Sequence, residues 1–119
     1  MASNDGTAGG AVSALEAANL AGKVLVTGQD AQKDAVQRIV QGKQTMTIYK
    51  PIRPLAYRAV DAAIQLARKE PVETHDKINN GKRDVPAILL EPIVVDKSNV
   101  DATIIKDGYH TRQEIYGAR

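Results

Sequence analysis

Residues 24–30 read VLVTGQD, a short apolar run followed by four small or polar residues. The first three are apolar without polar alternation, which is typical of a strand covered on both faces in a parallel sheet. We therefore expect a buried parallel strand here that ends at Thr27 and Gly28. Asp30 then stands beyond the carboxyl end of the strand, where open α/β sheets bind their ligands.

Amphipathic segments lie on both sides of this strand. Apolar residues at helical spacing predict a helix over 7–20, a second over 31–41 and the longest over 53–69. Residues 44–49 alternate polar and apolar side chains, and a proline follows shortly after, so a second strand should form there. Helices and strands therefore alternate along the first half of the chain.

The second half is less regular. Residues 70–84 are rich in charge and contain an Asn-Asn-Gly sequence, which predicts a solvated connection. The runs 87–90 and 93–95 have the composition of strands but are separated by Pro92, which favours an edge or a bend. We expect this strand to be bent or peripheral.

The end of the chain carries two capping-box patterns, Ser98-x-x-Asp101 and Thr111-x-x-Glu114. Each pattern predicts the start of a short helix. The order of elements along the whole chain predicts the α/β class, with a parallel sheet in a three-layer sandwich.

Composition narrows the class of protein. The chain has 119 residues, 43% of them hydrophobic, which suits one small core. A net charge of +2, not concentrated in any basic tract, argues against a nucleic-acid partner. Four tyrosines are the only aromatic residues, so few ring faces are available for stacking on a sugar or a base. A stacking site would need residues from another segment.

Several kinds of segment and site are missing from the sequence. There is no cysteine, which excludes disulfides and thiolate ligands. No apolar run is long enough for a membrane span, and the first residues lack the basic and apolar regions of a signal peptide. We therefore expect any export signal to lie outside this chain.

Three side chains are candidates for binding a ligand. Asn4 lies in a small-residue loop that opens the first helix, Asp30 follows the first strand and Lys50 follows the second. Each has an ordinary alternative role. Asn4 would lie in an N-cap loop, with Asp5 as a plausible cap, and Asp30 would itself be an N-cap. Lys50 would be a solvated surface amine. An enzyme would need an organised nucleophile and base, which this set does not provide.

The two histidines, His75 and His110, have no ligand-type residues at metal-binding spacing. We interpret both as surface residues. We therefore expect neither a metal site nor another cofactor.

Five segments together resemble the D-xylose-binding proteins of ABC sugar importers, a family of solute-binding proteins. They are ASNDGTAGG at 2–10, VTGQDA at 26–31, TMTIYKPI at 45–52, IVV at 93–95 and IIKDGYHT at 104–111. The resemblance covers essentially the whole chain. It implies a type I periplasmic-binding-protein-like fold, in which two α/β lobes joined by three hinge crossings close over one monosaccharide.

The resemblance also implies roles and boundaries. Asn4, Asp30 and Lys50 would contact the hydroxyls of D-xylose or a similar pentose, with Asp30 accepting from two of them and Lys50 donating. Residues 1–50 would belong to the carboxy-terminal lobe, 51–84 to the amino-terminal lobe and 85–119 again to the carboxy-terminal lobe.

Partners and location follow from the same resemblance. The chain would be a carboxy-terminal fragment of a non-enzymatic, periplasmic or extracellular membrane-anchored protein that delivers a monosaccharide to an ABC permease. An alternative is a sensor that signals to a membrane kinase or chemoreceptor. A missing amino-terminal segment or a second copy in a swapped dimer would complete the structure.

Overall fold

The computed structural model describes residues 1–117, which divide into two units. The first comprises Met1–Lys50 together with the residues from Pro92 onward, and the second comprises Pro51–Glu91. The assignment of such units to two lobes of a larger protein stays a prediction. In chain order the elements are α1 (Asp5–Ala17), α2 (Lys33–Val40), β1 (Met46–Tyr49), α3 (Ile52–Ala67), β2 (Asp76–Asn79), β3 (Asp84–Ala87), β4 (Ile93–Asp96), a π-helical turn (Asp101–Ile105) and α4 (Arg112–Tyr116).

The core of the first unit lies between α2 and an antiparallel pair of strands. Strand β1 pairs with β4, in a register that places Met46 opposite Asp96 and Tyr49 opposite Ile93. The buried side chains of this cluster are Ala31, Val36, Ile39, Tyr49, Val95, Val100, Ile104 and Ile115. Each fully buried aliphatic side chain of this size contributes about 1.5–3 kcal/mol through removal from water. The cluster therefore joins the carboxy-terminal segment to the first fifty residues.

A second, smaller cluster holds α1 in place. Ala8 and Val12 on one face of α1 are buried against Val26. Only that face is covered, which is why α1 buries few residues despite its length. The helix positions the loop that precedes it.

The second unit consists of α3 and a hairpin. Strands β2 and β3 pair antiparallel from Asp76–Ala87 to Asn79–Asp84. No residue of α3 is buried. A groove of about 290 Å³ runs between α3 and the hairpin, with Leu55 and Leu90 among its walls. In the described part of the chain, no helix has the length and apolar character needed to cross a membrane.

The predicted strand at 24–26 does not form as a regular strand. Val24 is 44% exposed and Leu25 is 78% exposed, so the run is not covered on both faces. The predicted parallel direction is correct from Val26 onward. The amide of Thr45 donates to the carbonyl of Val26, and the amide of Gly28 donates to the carbonyl of Met46. These bonds form an isolated parallel β-bridge between Thr27 and Met46 and not a regular strand.

The predicted parallel three-layer sandwich is not confirmed over residues 1–117. Both strand pairs are antiparallel and each contains two strands. A parallel sandwich needs a wider sheet with helices on both faces. The parallel three-layer sandwich therefore stays a prediction.

Two local predictions in the second half were wrong. The segment 70–84 contains strand β2, because residues 80–83 form a hairpin turn in which Gly81 adopts a φ of +86°. Ser98 does not cap a helix, since its amide and hydroxyl both donate to the carboxylate of Asp96. The following π-helical turn begins after Val100 without a side-chain cap.

Candidate ligand-binding site

Asp30 and Lys50 form an ion pair in the first unit. The Nζ atom of Lys50 lies 2.7 Å from Oδ1 of Asp30, and the two side chains are 50% and 38% exposed, respectively. A half-exposed pair of this kind contributes little to stability, because solvent screens it. Its donor and acceptor atoms remain accessible to a polar ligand.

The backbone at Asp30 adopts an unusual conformation. Asp30 has a φ of +99° and Ala31 a φ of +50°, two consecutive residues in the region that favours glycine. The amide of Asp30 donates to the carbonyl of Ile48 at 2.8 Å, and the amide of Ala31 donates to Oγ1 of Thr47 at 3.2 Å. These bonds to β1 bring the carboxylate beside Lys50. Strain of this kind is concentrated at functional sites.

Asp5 is a buried carboxylate beneath this turn. Its Oδ2 accepts from the amide of Gln32 at 2.9 Å, and both oxygens lie 2.9 Å from the hydroxyl of Thr47. Its Oδ1 also accepts from Nε2 of Gln44 at 3.0 Å. These donors compensate for the loss of water around the carboxylate. Asp5 therefore links the start of α1, the Asp30 turn and β1.

Arg38 extends this polar network from α2. Its Nη2 donates to the backbone carbonyl of Asp5 at 3.0 Å, and its Nε donates to Oε1 of Gln44 at 3.0 Å. Its Nη1 also pairs with Asp34 one turn earlier, at 2.5 Å. Arg38 thus orients Gln44, which in turn donates to Asp5.

Asn4 is the N-cap of α1, a position that the sequence assigned to the region of Asp5. Its Oδ1 accepts from both the amide and the hydroxyl of Thr7, each at 2.8 Å. The structure shows no bond between Asn4 and Asp30. It does bring their loops together, because the amide of Asp5 donates to the carbonyl of Gln29 at 2.8 Å. The capping alternative for Asn4 is therefore confirmed, while its role toward a ligand stays a prediction.

The interpretation of His110 as a surface residue was wrong. His110 is half-buried, and its Nε2 lies 2.9 Å from the carbonyl oxygen of Ala31. The neighbouring Tyr109 directs its hydroxyl toward the carbonyl of Asp30, at 3.4 Å. Sequence reasoning missed both residues, since their partners are distant in the chain. His75, by contrast, is exposed, as predicted.

Metal chemistry finds no support over residues 1–117. No group of three or more histidine, aspartate or glutamate side chains is close enough to hold an ion in that part of the chain. The Asp30–Lys50 pair instead offers a carboxylate that accepts hydrogen bonds and an ammonium that donates them. That combination matches a vicinal pair of hydroxyls.

Residues 1–71 match the family model described as Periplasmic binding protein domain. The D-xylose-binding periplasmic protein of Haemophilus influenzae is 54% identical over 116 residues, which is 98% of this chain and 35% of that protein. The protein of the same description from Escherichia coli K12 is 49% identical, over 97% of this chain and 35% of its own length. The Multiple sugar-binding periplasmic receptor ChvE of Rhizobium radiobacter is 38% identical, over 76% of this chain and 26% of its own length. The chain thus spans about a quarter to a third of the length of these relatives.

Solved structures of similar fold come from the same kind of protein. A carbohydrate transporter solute-binding protein from Chloroflexus aurantiacus, in complex with D-glucose, superposes with a TM-score of 0.84 at 40% identity, covering 93% of this chain and 33% of that one. An ABC transporter solute-binding protein from Clostridium phytofermentans, with bound β-D-glucose, superposes with a TM-score of 0.81 at 32% identity, covering 94% of this chain and 35% of that one.

Proposed function

This chain belongs to the periplasmic binding protein family, of type I fold, and from that premise we propose that it forms part of the monosaccharide site of a sugar-transport protein. D-Xylose or a similar pentose is the proposed ligand. The observation that carries the proposal is the half-exposed Asp30–Lys50 ion pair, at 2.7 Å on a strained turn. Binding, without bond breaking, is the function proposed for it.

The chemistry of the pair suits a sugar. Each hydroxyl of a pentose donates one hydrogen bond and accepts up to two, so adjacent hydroxyls can use the Asp30 carboxylate and the Lys50 ammonium together. Hydrogen bonds to charged groups are stronger than those between neutral groups. Asn4, in the neighbouring loop, is the third proposed contact. Its side-chain amide would have to bond to the ligand while it also accepts from Thr7.

Pentose preference rests on the relatives. Two of them, at 54% and 49% identity, are named as D-xylose-binding proteins, whereas the two solved structures hold glucose. A hexose therefore has to be the competitor in any test of specificity.

Further walls of the site are proposed to come from outside these residues. Small polar ligands are usually buried on most sides, and the described residues offer an open pair instead of an enclosed pocket. Segments that the relatives possess, or a second copy of the chain, would supply those walls. In the longer protein, the parallel bonding between residues 26–30 and β1 would form part of the parallel three-layer sandwich.

Delivery to an ABC permease, at the periplasmic face of a membrane, is the proposed physiological role. A second candidate is sugar sensing, because one relative is named as a receptor. Pull-down with the permease and with the ectodomain of a sensor kinase separates the two roles: retention by one and not by the other identifies the partner.

Calorimetry against a sugar panel tests the binding function. The chain is titrated with D-xylose, D-ribose, D-glucose and D-allose, alone and mixed with the part of the Haemophilus influenzae relative that it does not match. We expect millimolar affinity at best for the chain alone, and tighter binding of the pentose in the mixture. Absence of heat with every sugar in both samples contradicts the proposed function.

A further inference from the structure

The Asp30–Ala31 turn holds two non-glycine residues at positive φ, +99° and +50°. Non-glycine residues rarely adopt this conformation, which persists only where surrounding contacts fix it. The amides of this turn bond to Ile48 and Thr47 on β1. The carbonyls of Asp30 and Ala31 have their partners outside β1.

Both carbonyls are approached by the carboxy-terminal segment. Nε2 of His110 lies 2.9 Å from the carbonyl oxygen of Ala31, and the hydroxyl of Tyr109 lies 3.4 Å from the carbonyl oxygen of Asp30. A carbonyl oxygen can only accept, so Nε2 of His110 must carry the proton that it donates. The bond from His110 is the shorter of the two and lies within the usual range.

The imidazole is itself held in place. Its ring centroid lies 4.6 Å from that of Tyr109, and the Tyr109 ring lies 4.9 Å from that of Tyr49. Tyr49 is buried in the core and its hydroxyl donates to Asp107. These tilted ring contacts, anchored in the core through Tyr49, thus fix the donor that faces the turn.

We propose that His110 is a positioning residue, which holds the Ala31 carbonyl so that the Asp30 carboxylate stays within reach of Lys50. His110 does not contact the ligand in this arrangement. Its effect on sugar affinity rests on the proposed function of the Asp30–Lys50 pair, whereas its effect on the turn does not.

The test uses three variants of the full chain. His110→Ala removes the donor, His110→Gln retains a side-chain N–H that can reach the same carbonyl, and His75→Ala is the control, because His75 is exposed in the other unit. Thermal melting first establishes that each variant folds. Should His110→Ala fail to fold, His110→Phe takes its place, because phenylalanine keeps a ring beside Tyr109 but has no N–H to donate to Ala31.

Nuclear magnetic resonance then measures the turn and the ligand separately. Strong intraresidue amide-to-Hα Overhauser effects at Asp30 and Ala31 report positive φ in the absence of sugar. Titration with D-xylose to high millimolar concentration reports affinity. We expect His110→Ala to weaken both turn signals and to raise the dissociation constant roughly fivefold to tenfold, the equivalent of one hydrogen bond. His110→Gln should recover most of both, and His75→Ala should change neither.

A double variant shows whether His110 acts through Asp30. In an Asp30→Ala background, His110→Ala should have no further effect on affinity. An equal loss in that background, or unchanged turn signals in His110→Ala, overturns the proposal. If neither the parent chain nor its mixture with the unmatched part of the relative responds to any sugar, the proposed function fails on its own, and the turn signals still decide whether His110 positions Asp30.

Discussion

Gly28 lies against the buried carboxylate of Asp5, so closely that a Cβ atom added to the glycine would be 2.0 Å from Oδ1 of Asp5 and 2.7 Å from Nε2 of Gln44. No side chain fits in that space. The glycine therefore allows residues 27–30 to run beside β1 with the Asp5 network directly behind them. Its importance comes from close approach and not from backbone conformation.

Gly28→Ala should destabilise the chain by about 3 kcal/mol or more, because the methyl group would displace a buried carboxylate from its donors. Chemical denaturation measures the free energy of unfolding. Gly10→Ala is the matched control: nothing lies within 4 Å of its added Cβ, and it sits inside α1. That control should stabilise the chain by roughly 1 kcal/mol. Equal effects of the two variants would contradict the packing around Gly28.

Asp5→Ala should also be strongly destabilising, by about 3–5 kcal/mol, since the amide of Gln32 and the side chains of Thr47 and Gln44 would lose their buried acceptor. Asp34→Ala removes an exposed carboxylate, while Arg38 keeps its bonds to Asp5 and Gln44, so the change should cost less than about 1 kcal/mol. Denaturation of both variants under the same conditions checks the contrast. A small loss for Asp5→Ala would show that the network contributes little.

Asp30→Ala and Lys50→Met should each weaken pentose binding by about 2–4 kcal/mol in the longer protein that completes the site. In both variants, buried sugar hydroxyls would lose a charged partner. Neither should lower the melting temperature comparably, since both side chains are half-exposed. Lys43→Met is the control, because Lys43 makes a similar surface pair with Glu16. Calorimetry that shows unchanged affinity in both site variants refutes the assignment.

The isolated chain should self-associate. Helix α3 carries exposed apolar side chains with no buried residue, among them Leu55, Val60 and Ile64. Exposed apolar faces tend to find a partner, and exchange of identical segments between two copies is a common route. Light scattering over a concentration series should show a dimer, and Val60→Glu should shift the equilibrium toward monomer. A cooperatively folded monomer at high micromolar concentration would disprove this expectation.

Acid should loosen α4. Hydrogen bonds from the backbone and then the hydroxyl of Thr111 hold the pKa of Glu114 below its ordinary value. A carboxyl whose folded pKa is lowered stabilises the fold above its unfolded pKa, about 4.3, and loses that contribution as the pH falls through the folded value. Amide exchange in α4, expressed relative to the intrinsic exchange rate at each pH, should therefore rise below pH ~4. Glu114→Gln should show no such rise over the same range, and an identical profile would contradict the role of this carboxyl.

Local features of this chain could be read from its sequence. Periodicity located α1, α2, β1 and α3 to within a few residues, because the spacing of apolar side chains on one helix or strand is a short-range property. The capping box of Thr111 and Glu114 is confirmed for the same reason, since both partners lie within one turn. The similar pattern at Ser98 failed because Asp96, equally close, accepts from the Ser98 amide that a capping box would direct to Asp101.

Properties that depend on distant segments could not be read in this way. Whether residues 24–26 form a buried strand depends on which neighbours cover them, and here Leu25 remains exposed. The pairing of β1 with β4, the burial of Asp5 and the bond from His110 to Ala31 all join residues far apart in the chain. Asp30 and Lys50 were each placed after a strand by local pattern, but their separation of 2.7 Å results from the hydrogen bonds that hold the Asp30 turn to β1. Local pattern determines where helices and turns begin, because it acts over a few residues, whereas contacts across the fold determine which strands pair and which polar groups meet.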